Sequence, residues 1–427
     1  MQGASRWVVA GGVIASLCLV AGLLVSNFVG GETKIERRIE RLYALDDPRF
    51  MHELGVLLGP SFLPGTKARA LLNGDEIFPP MLAAIRAAKV SITFETYIYW
   101  AGDIGREFAD ALAERARQGV KVHLLLDWVG SVKLDDSLVA TMAQAGVQIK
   151  RFHPPHWSNL GRMNNRTHRK LLVVDGRIGF TGGVGVAPQW TGRAQDPAHW
   201  RDTHFEVAGP VVAQMQSVFI DNWIKVTGDV LHGPDYFPML APAGPGSAQM
   251  FSSSPSGGSE SMQLMYLLAV TAASRSIDLS AAYFVPDPLT LQALVEALKR
   301  GVRLRIVLPG KHIDSDAVRG ASRATWGRLL SAGAVIAEYG PTMYHCKVMV
   351  VDGLLTSVGS TNFDNRSFRL NDEATLNIVD PVFASAQTAV FEADLALAHR
   401  VSHAEWQARP LRERVGEWLA SAIGTQL

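Results

Sequence analysis

One short pattern is written twice in this chain, and that duplication constrains the fold more than any other feature. Residues 168–175 read HRKLLVVD and residues 345–352 read HCKVMVVD. Each is a histidine, one residue, a lysine, four residues and an aspartate. The neighbouring segments repeat with it. SITFETYIYW, IGREFADALAERARQG and VKVHLLLD in the first half are matched by SIDLSAAYFV, PLTLQALVEALKRG and VRLRIVLP in the second. The β-branched and aromatic runs predict strands, and the amphipathic runs that end at glycine predict helices. Each half then passes through a second helix (SLVATMAQAG; ATWGRLLSAG) and a strand (VQIKRF; AVIAEY) to its H-x-K segment. Strands alternating with helices imply an α/β fold with two similar lobes, each a mixed β-sheet flanked by helices.

A length of 427 residues is too great for one ordinary core, which agrees with two lobes. Composition places a membrane-anchoring segment over 1–31, a juxtamembrane helical segment over 32–64, and a first lobe over 65–235. A linker rich in Pro, Gly and Ser covers 236–260, and a second lobe with C-terminal helices covers 261–427. The juxtamembrane helix is read from ETKIERRIERLYAL, with Ile35, Ile39 and Leu42 on one face.

The N-terminus carries the second informative stretch. Residues 7–29, WVVAGGVIASLCLVAGLLVSNFV, hold no charge, and as a helix they would span roughly 35 Å, enough for a bilayer core. The run is too long for a signal-peptide core and no A-x-A site follows, so it reads as a retained single transmembrane helix. Arg6 stands alone before it, while Lys34, Arg37, Arg38 and Arg41 crowd its far side. The positive-inside tendency then puts the rest of the chain in the cytoplasm. A formal net charge of +1 argues against nucleic acid as the partner. Two cysteines, Cys18 and Cys346, exclude a disulfide framework and a cysteine-rich zinc site.

The repeated motif carries the chemistry. On an extended segment, residues i and i+2 share a face, so His168 pairs with Lys170 and His345 with Lys347, while Arg169 and Cys346 face the other way. A neutral histidine is a nucleophile or a proton carrier near neutral pH. A lysine beside it supplies a charge suited to a phosphate oxygen. Two histidines facing each other across a lobe interface would make a nucleophile and a general acid for phosphoryl transfer. Asp175 and Asp352 complete the two motifs and are counted with these candidate catalytic residues. Their odd spacing from the histidines and the glycine after each predict that they mainly hold a D-G turn. Downstream, small residues at Gly182-Gly183 and Gly359-Ser360 would let backbone N–H groups approach an anion. RDTHFEVAGPVV and DEATLNIVDPVF align at a constant offset, which places Asp202 over Glu373 as one histidine-orienting carboxylate per lobe.

At this point the chain resembles the phospholipase D superfamily, whose signature is two copies of H-x-K-x4-D. The stretch HCKVMVVDGLLTSVGSTNFDNRSFRLNDE, with YIYWAGDIGREFADAL, HRKLLVVDGRIGFTGG and HWRDTHFEVAGP, is similar to the bacterial cardiolipin synthase branch over roughly residues 65–400. The resemblance implies that His168 attacks a phosphodiester phosphorus to form a phosphohistidine, and that His345 protonates the departing alcohol and activates the incoming one. It implies that Lys170 and Lys347 hold the non-bridging oxygens together with Ser360 and Asn362, and that Asp202 and Glu373 orient the histidines, while Gly183 is a phosphate-binding candidate from the repeat itself. No metal or other cofactor is implied. The implied substrates are phospholipids, two phosphatidylglycerols giving cardiolipin and glycerol at the bacterial inner membrane, with one duplicated chain forming a complete site. Two departures stand out. Gly185 replaces the asparagine usual after the first motif, so a phosphate donor is expected to be missing there, and Thr167 replaces an asparagine before the first histidine.

A water-using phospholipase or nuclease of the same superfamily has the same motifs, and phosphatidylserine synthesis is another lipid reaction they allow. From a different class comes a catalytically weak scaffold that binds anionic lipid at the membrane, which Gly185 alone supports. Trp190, Trp200 and Trp223 are placed either in a lipid channel or in the core. MNNRTH, with Arg162 and Arg166, is read as a solvated loop that brings charge to a headgroup.

Overall fold

Strands and helices alternate through both halves in the order that the periodicity predicts. The computed structural model describes residues 11–13, 15–22, 35–154, 164–255 and 261–422. The first half supplies β1 (Leu63–Leu72), β2 (Ser91–Thr96), β3 (Lys121–Asp127), β4 (Gln148–Phe152), β5 (Arg166–Thr167), β6 (Leu171–Val174), β7 (Ile178–Gly182) and β8 (Thr203–Ala208). The second supplies β9 (Gly246–Ser253), β10 (Ser276–Ala281), β11 (Phe284–Val285), β12 (Arg303–Pro309), β13 (Val335–Tyr339), β14 (Lys347–Val351), β15 (Leu355–Gly359), β16 (Phe363–Asp364), β17 (Asn371–Val379) and β18 (Ala398–Val401).

One mixed sheet crosses the whole molecule in the order β18-β13-β12-β10-β14-β15-β17-β9-β1-β8-β7-β6-β2-β3-β4, with β5 attached to β17. Its two halves mirror each other about the antiparallel β1–β9 pair. Outward from that centre, β8-β7-β6-β2-β3-β4 matches β17-β15-β14-β10-β12-β13. Residues alternate between two buried faces. Leu172 and Val174 enter the core under the first-lobe helices. Leu171 and Val173 join Val348, Val350 and Leu376 in a core shared by both halves. This explains the unbroken apolar runs LLVV and VMVV: a strand covered on both sides needs no polar face.

Two expectations are corrected. The stretch 236–260 contains strand β9 at the centre of the sheet, which pairs with β1 and β17. Its sequence GSAQMFSS hides this, because Gln249 is a fully buried polar residue that bonds Asn377 across the pair. Residues 35–44 hold no helix. Arg41 donates to Ser274 Oγ at 2.7 Å, and Ile39 packs on the second-lobe core, so the segment lies against that lobe while Leu42 stays 69% exposed. The helix of this region is Pro48–Leu58, started by the Asp47 side chain accepting from Arg49 N–H. Most of the apolar run 7–29 lies outside the described residues. Among those described, no helix is long and apolar enough to cross a membrane.

Candidate active site

Each H-x-K segment leaves its own lobe to lie on the other. β5, just before His168, pairs in parallel with the start of β17, and His168 N–H donates to Asp372 C=O at 2.9 Å. In the mirror position Arg201 bridges to Tyr344, and His345 N–H donates to Arg201 C=O at 2.7 Å. The carboxylate residue follows directly on each partner strand. Consequently His168 Nδ1 lies 2.9 Å from Glu373 Oε1, and His345 Nδ1 lies 2.7 Å from Asp202 Oδ2. Each lobe's carboxylate thus holds the other lobe's histidine, leaving both Nε2 atoms as the reactive ones. Arg169 turns away as the alternation requires. Its buried guanidinium donates to Val218 C=O at 2.7 Å and Asp221 Oδ2 at 3.0 Å.

Burial and neighbouring charge set the protonation states. Burial pushes His168 down to about 4 and Lys170 down to about 7, the latter helped by repulsion from Lys347. Burial also lowers His345 and Lys347. Burial would raise Glu373 and Asp202, but their histidine partners draw both below the usual carboxylate range. The result is two imidazoles on two carboxylates: His168 is neutral and ready to accept a bond, while Asp202 favours the protonated ring that His345 needs in order to give up a proton. Lys170 Nζ donates to His168 C=O at 2.9 Å and Lys347 Nζ to His345 C=O at 2.8 Å. Lys347 Nζ also lies 3.3 Å from His345 Nε2, beside the reactive edge of that ring. Each ammonium has three protons, so each keeps donors for a ligand.

The two carboxylates are supported unequally. Glu373 accepts from Ser360 Oγ at 2.5 Å, Ser367 Oγ at 2.8 Å and Asn371 Nδ2 at 3.2 Å. Asp202 accepts from Trp190 Nε1 at 2.9 Å and Thr203 N–H at 2.8 Å. Ser360 and Gly183, expected at the phosphate, therefore serve the carboxylates instead. The Gly183 N–H is taken by Thr203 C=O and the Ser360 N–H by Ala374 C=O. A Cβ at 183 would lie 2.2 Å from Asp202 Oδ1, so glycine is what lets this carboxylate reach His345. Gly183→Ala is expected to cost about 1–3 kcal/mol by overpacking and to lower activity far more, checked by denaturant titration beside turnover.

Asn362 lies on the cavity wall, and its buried Oδ1 has no partner among the described residues. In the first half its counterpart Gly185 is packed in: a Cβ there would lie 2.9 Å from Ile98 Cβ and 3.1 Å from the Trp190 ring. The missing asparagine is thus replaced by a tryptophan wall beneath Asp202. Trp190 and Trp200 flank His345 with ring centres 5.4 and 5.3 Å away, whereas Trp223 is core, stacked on Phe219. Thr167 donates to Glu95 Oε1 at 2.5 Å, away from the cavity.

Asp175 and Asp352 stand apart from this chemistry. Each lies seven positions along the chain from its histidine, beyond the far end of strand β6 or β14. Both adopt left-handed backbone, φ 53° and 54°. Asp175 accepts from the N–H groups of Lys89, Val90 and Ser91, and Asp352 from those of Ser274, Arg275 and Ser276. The matched bonds tie the motif turn to the loop that enters β2 or β10, which corrects their placement in the catalytic set.

Both histidines open into one cavity of about 610 Å³ whose wall includes Tyr97, Arg166, Lys170, Trp200, Asn362 and Arg366. A family model described as "Cardiolipin synthase, PLD-like domain" matches residues 81–223 and 266–395. The chain belongs to this family. It is 36% identical over 398 residues to a cardiolipin synthase of Geobacillus kaustophilus, covering 91% of this chain and 78% of that one. It is 35% identical over 393 residues to cardiolipin synthase A of Pseudomonas fluorescens, covering 92% and 80%. The crystal structure of a phosphatidylserine synthase from Haemophilus influenzae Rd KW20 shares the fold, with TM-score 0.69 and 14% identity over 90% of this chain and 100% of that one. As a phospholipase D-like member of the cardiolipin synthase family, the chain is a phosphatidyltransferase; both motif histidines and Lys170 line this cavity, and Lys347 lies beside His345.

Proposed function

We propose that the protein makes cardiolipin by transferring a phosphatidyl group from one phosphatidylglycerol to the hydroxyl of another, through a phosphohistidine on His168. The observation that carries this reading is the crossed pair of buried imidazoles, each tied at Nδ1 to a carboxylate of the opposite lobe, opening on one cavity with a lysine beside each. His168 Nε2 attacks phosphorus, and the bond to the glycerol oxygen breaks as His345, which enters the step protonated on both ring nitrogens, gives that oxygen its Nε2 proton. The second phosphatidylglycerol then enters. Its hydroxyl oxygen attacks phosphorus, its proton returns to His345, and the bond to His168 breaks. Lys170, Lys347 and Asn362 bind the non-bridging oxygens, and the fixed ammonium groups stabilise charge that grows in the transition state. Because both histidines belong to one chain, one copy makes a complete site.

The N-terminal apolar run is assigned as a single span in the inner membrane, with the lobes on the cytoplasmic side, from the arginines and lysine that follow it. Purified full-length protein with phosphatidylglycerol vesicles should yield cardiolipin and glycerol in equal amounts. Phosphatidic acid as the main product would make it a hydrolase instead.

The protonation states give a pH profile. The free-enzyme kcat/KM requires a neutral His168, so activity rises through about pH 4. It also requires a protonated His345, whose proton burial makes easier to lose, and a charged Lys170, whose proton is lost as pH rises through about 7. A bell-shaped profile is expected, and Lys170→Arg, always charged, should make the alkaline limb less steep in whatever activity remains, leaving the His345 ionisation. An unchanged limb in that variant would assign it to another group.

A further inference from the structure

Two acids line the cavity that the transfer steps do not use, Asp314 and Asp364. Asp314 sits in the turn between β12 and the helix Asp316–Ser331 and lines the cavity that both histidines share. The other acid on that wall, Asp364, is occupied as a helix cap accepting from Ser367 N–H. Asp314 accepts from the Tyr283 hydroxyl, which lies 2.8 Å from each of its oxygens. One hydroxyl has a single proton, whereas a carboxylate has about four acceptor positions. Tyr283 therefore fixes the carboxylate and leaves most of it open to the cavity. Its charge acts on His345 and Lys347, which places it within electrostatic reach of the proton carrier. A negative group here repels the substrate phosphate that Arg166, Lys170 and Arg366 attract. Asp314 is exposed at the cavity, so water solvates it in the empty site, and the glycerol headgroup brings hydroxyl donors able to replace that water.

We propose that Asp314, held by Tyr283, binds the glycerol hydroxyls of the headgroup beside His345 and so selects a polyhydroxy alcohol over water or a simple alcohol. The inference rests on the phosphatidyl-transfer reading above. His345 must face glycerol in both half-reactions, first as the leaving alcohol and then as part of the incoming phosphatidylglycerol. A carboxylate that accepts from the hydroxyl not undergoing reaction positions the reacting oxygen at phosphorus. The step itself is unchanged: that oxygen bonds to phosphorus, its proton goes to His345, and the phosphorus–nitrogen bond to His168 breaks.

The test uses full-length enzyme with phosphatidylglycerol as donor and added isotope-labelled glycerol, 1-propanol or ethanolamine as competing acceptors, the label being needed because transfer to ordinary glycerol only regenerates the donor. Products are read as phosphatidyl alcohol relative to phosphatidic acid. Acceptors compete for one common intermediate, so the ratio is independent of how fast that intermediate forms. Wild type should prefer glycerol to 1-propanol, and Asp314→Asn should reduce that preference about tenfold or more, because a site built to bond a hydroxyl discriminates strongly against its absence. Tyr283→Phe, which keeps the carboxylate but frees it, should give a smaller loss in the same direction and serves if the first variant does not fold. An unchanged preference in the variants overturns the inference while leaving cardiolipin synthesis intact. A wild-type preference for ethanolamine that Asp314→Asn removes also overturns it, since the occupant would be an ammonium group. Phosphatidic acid alone from wild type with every alcohol would sink the transfer reading and this inference with it.

Discussion

His168→Ala should abolish covalent capture of the phosphatidyl group, whereas His345→Ala should preserve it when the leaving group needs no proton. With phosphatidylglycerol both variants are expected to lose about 10³–10⁵-fold in turnover, equivalent to about 4–7 kcal/mol of transition-state stabilisation. The roles separate only with a donor such as phosphatidyl-p-nitrophenol, whose leaving oxygen departs as a stable anion. His345→Ala should then release one equivalent of p-nitrophenol in a burst, while His168→Ala should show none. The physical basis is the division of tasks: only one Nε2 can bond to phosphorus, and the other is left to move protons. Bursts from His168→Ala with none from His345→Ala would reverse the assignment.

The second large effect follows from the crossed carboxylates. Glu373→Gln should reproduce the His168 defect, and Asp202→Asn the His345 defect, although each carboxylate lies in the other half of the sequence. A neutral amide at either position stabilises the wrong tautomer of the partner imidazole, a change that costs about 10⁴-fold in comparable triads. Combining Glu373→Gln with His168→Ala should add little further loss, since the two act as a unit. Pairing Asp202→Asn with His168→Ala in the p-nitrophenol assay should look like His168→Ala alone, because the burst already needs His168. A Glu373→Gln enzyme that still gave a full burst would contradict the crossed arrangement.

Much of this site is legible in the amino-acid sequence. The period-two logic puts Lys170 beside His168 and Lys347 beside His345, with Arg169 turned away, and the folded chain has the same arrangement. The constant offset finds Asp202 and Glu373, because an internal duplication preserves position as well as residue type. Which histidine each carboxylate serves is not legible. That depends on β5 and residue 201 reaching across to the opposite lobe, and no local pattern encodes a contact between halves. Gly183 and Ser360 mislead for a related reason. Small residues after a strand suggest an anion-binding loop, but here their N–H groups are consumed by the neighbouring strands. Ser367, Asn371 and Trp190 carry no pattern that points to a carboxylate. Arg166 in MNNRTH has the look of a solvated loop residue, yet it lines the cavity and belongs to β5; Arg162 lies outside the described residues. In the fold, β9 is hidden by its polar residues, which are buried only because the two lobes meet there.

One active site is split between two lobes, with its histidines and carboxylates exchanged. The most direct measurement of that exchange is peptide mapping of rapidly quenched Asp202→Asn enzyme after reaction with phosphatidyl-p-nitrophenol. Proton transfer through His345 should be crippled, and the phosphatidyl group should accumulate on the peptide containing His168. Its accumulation on the His345 peptide would contradict the exchange.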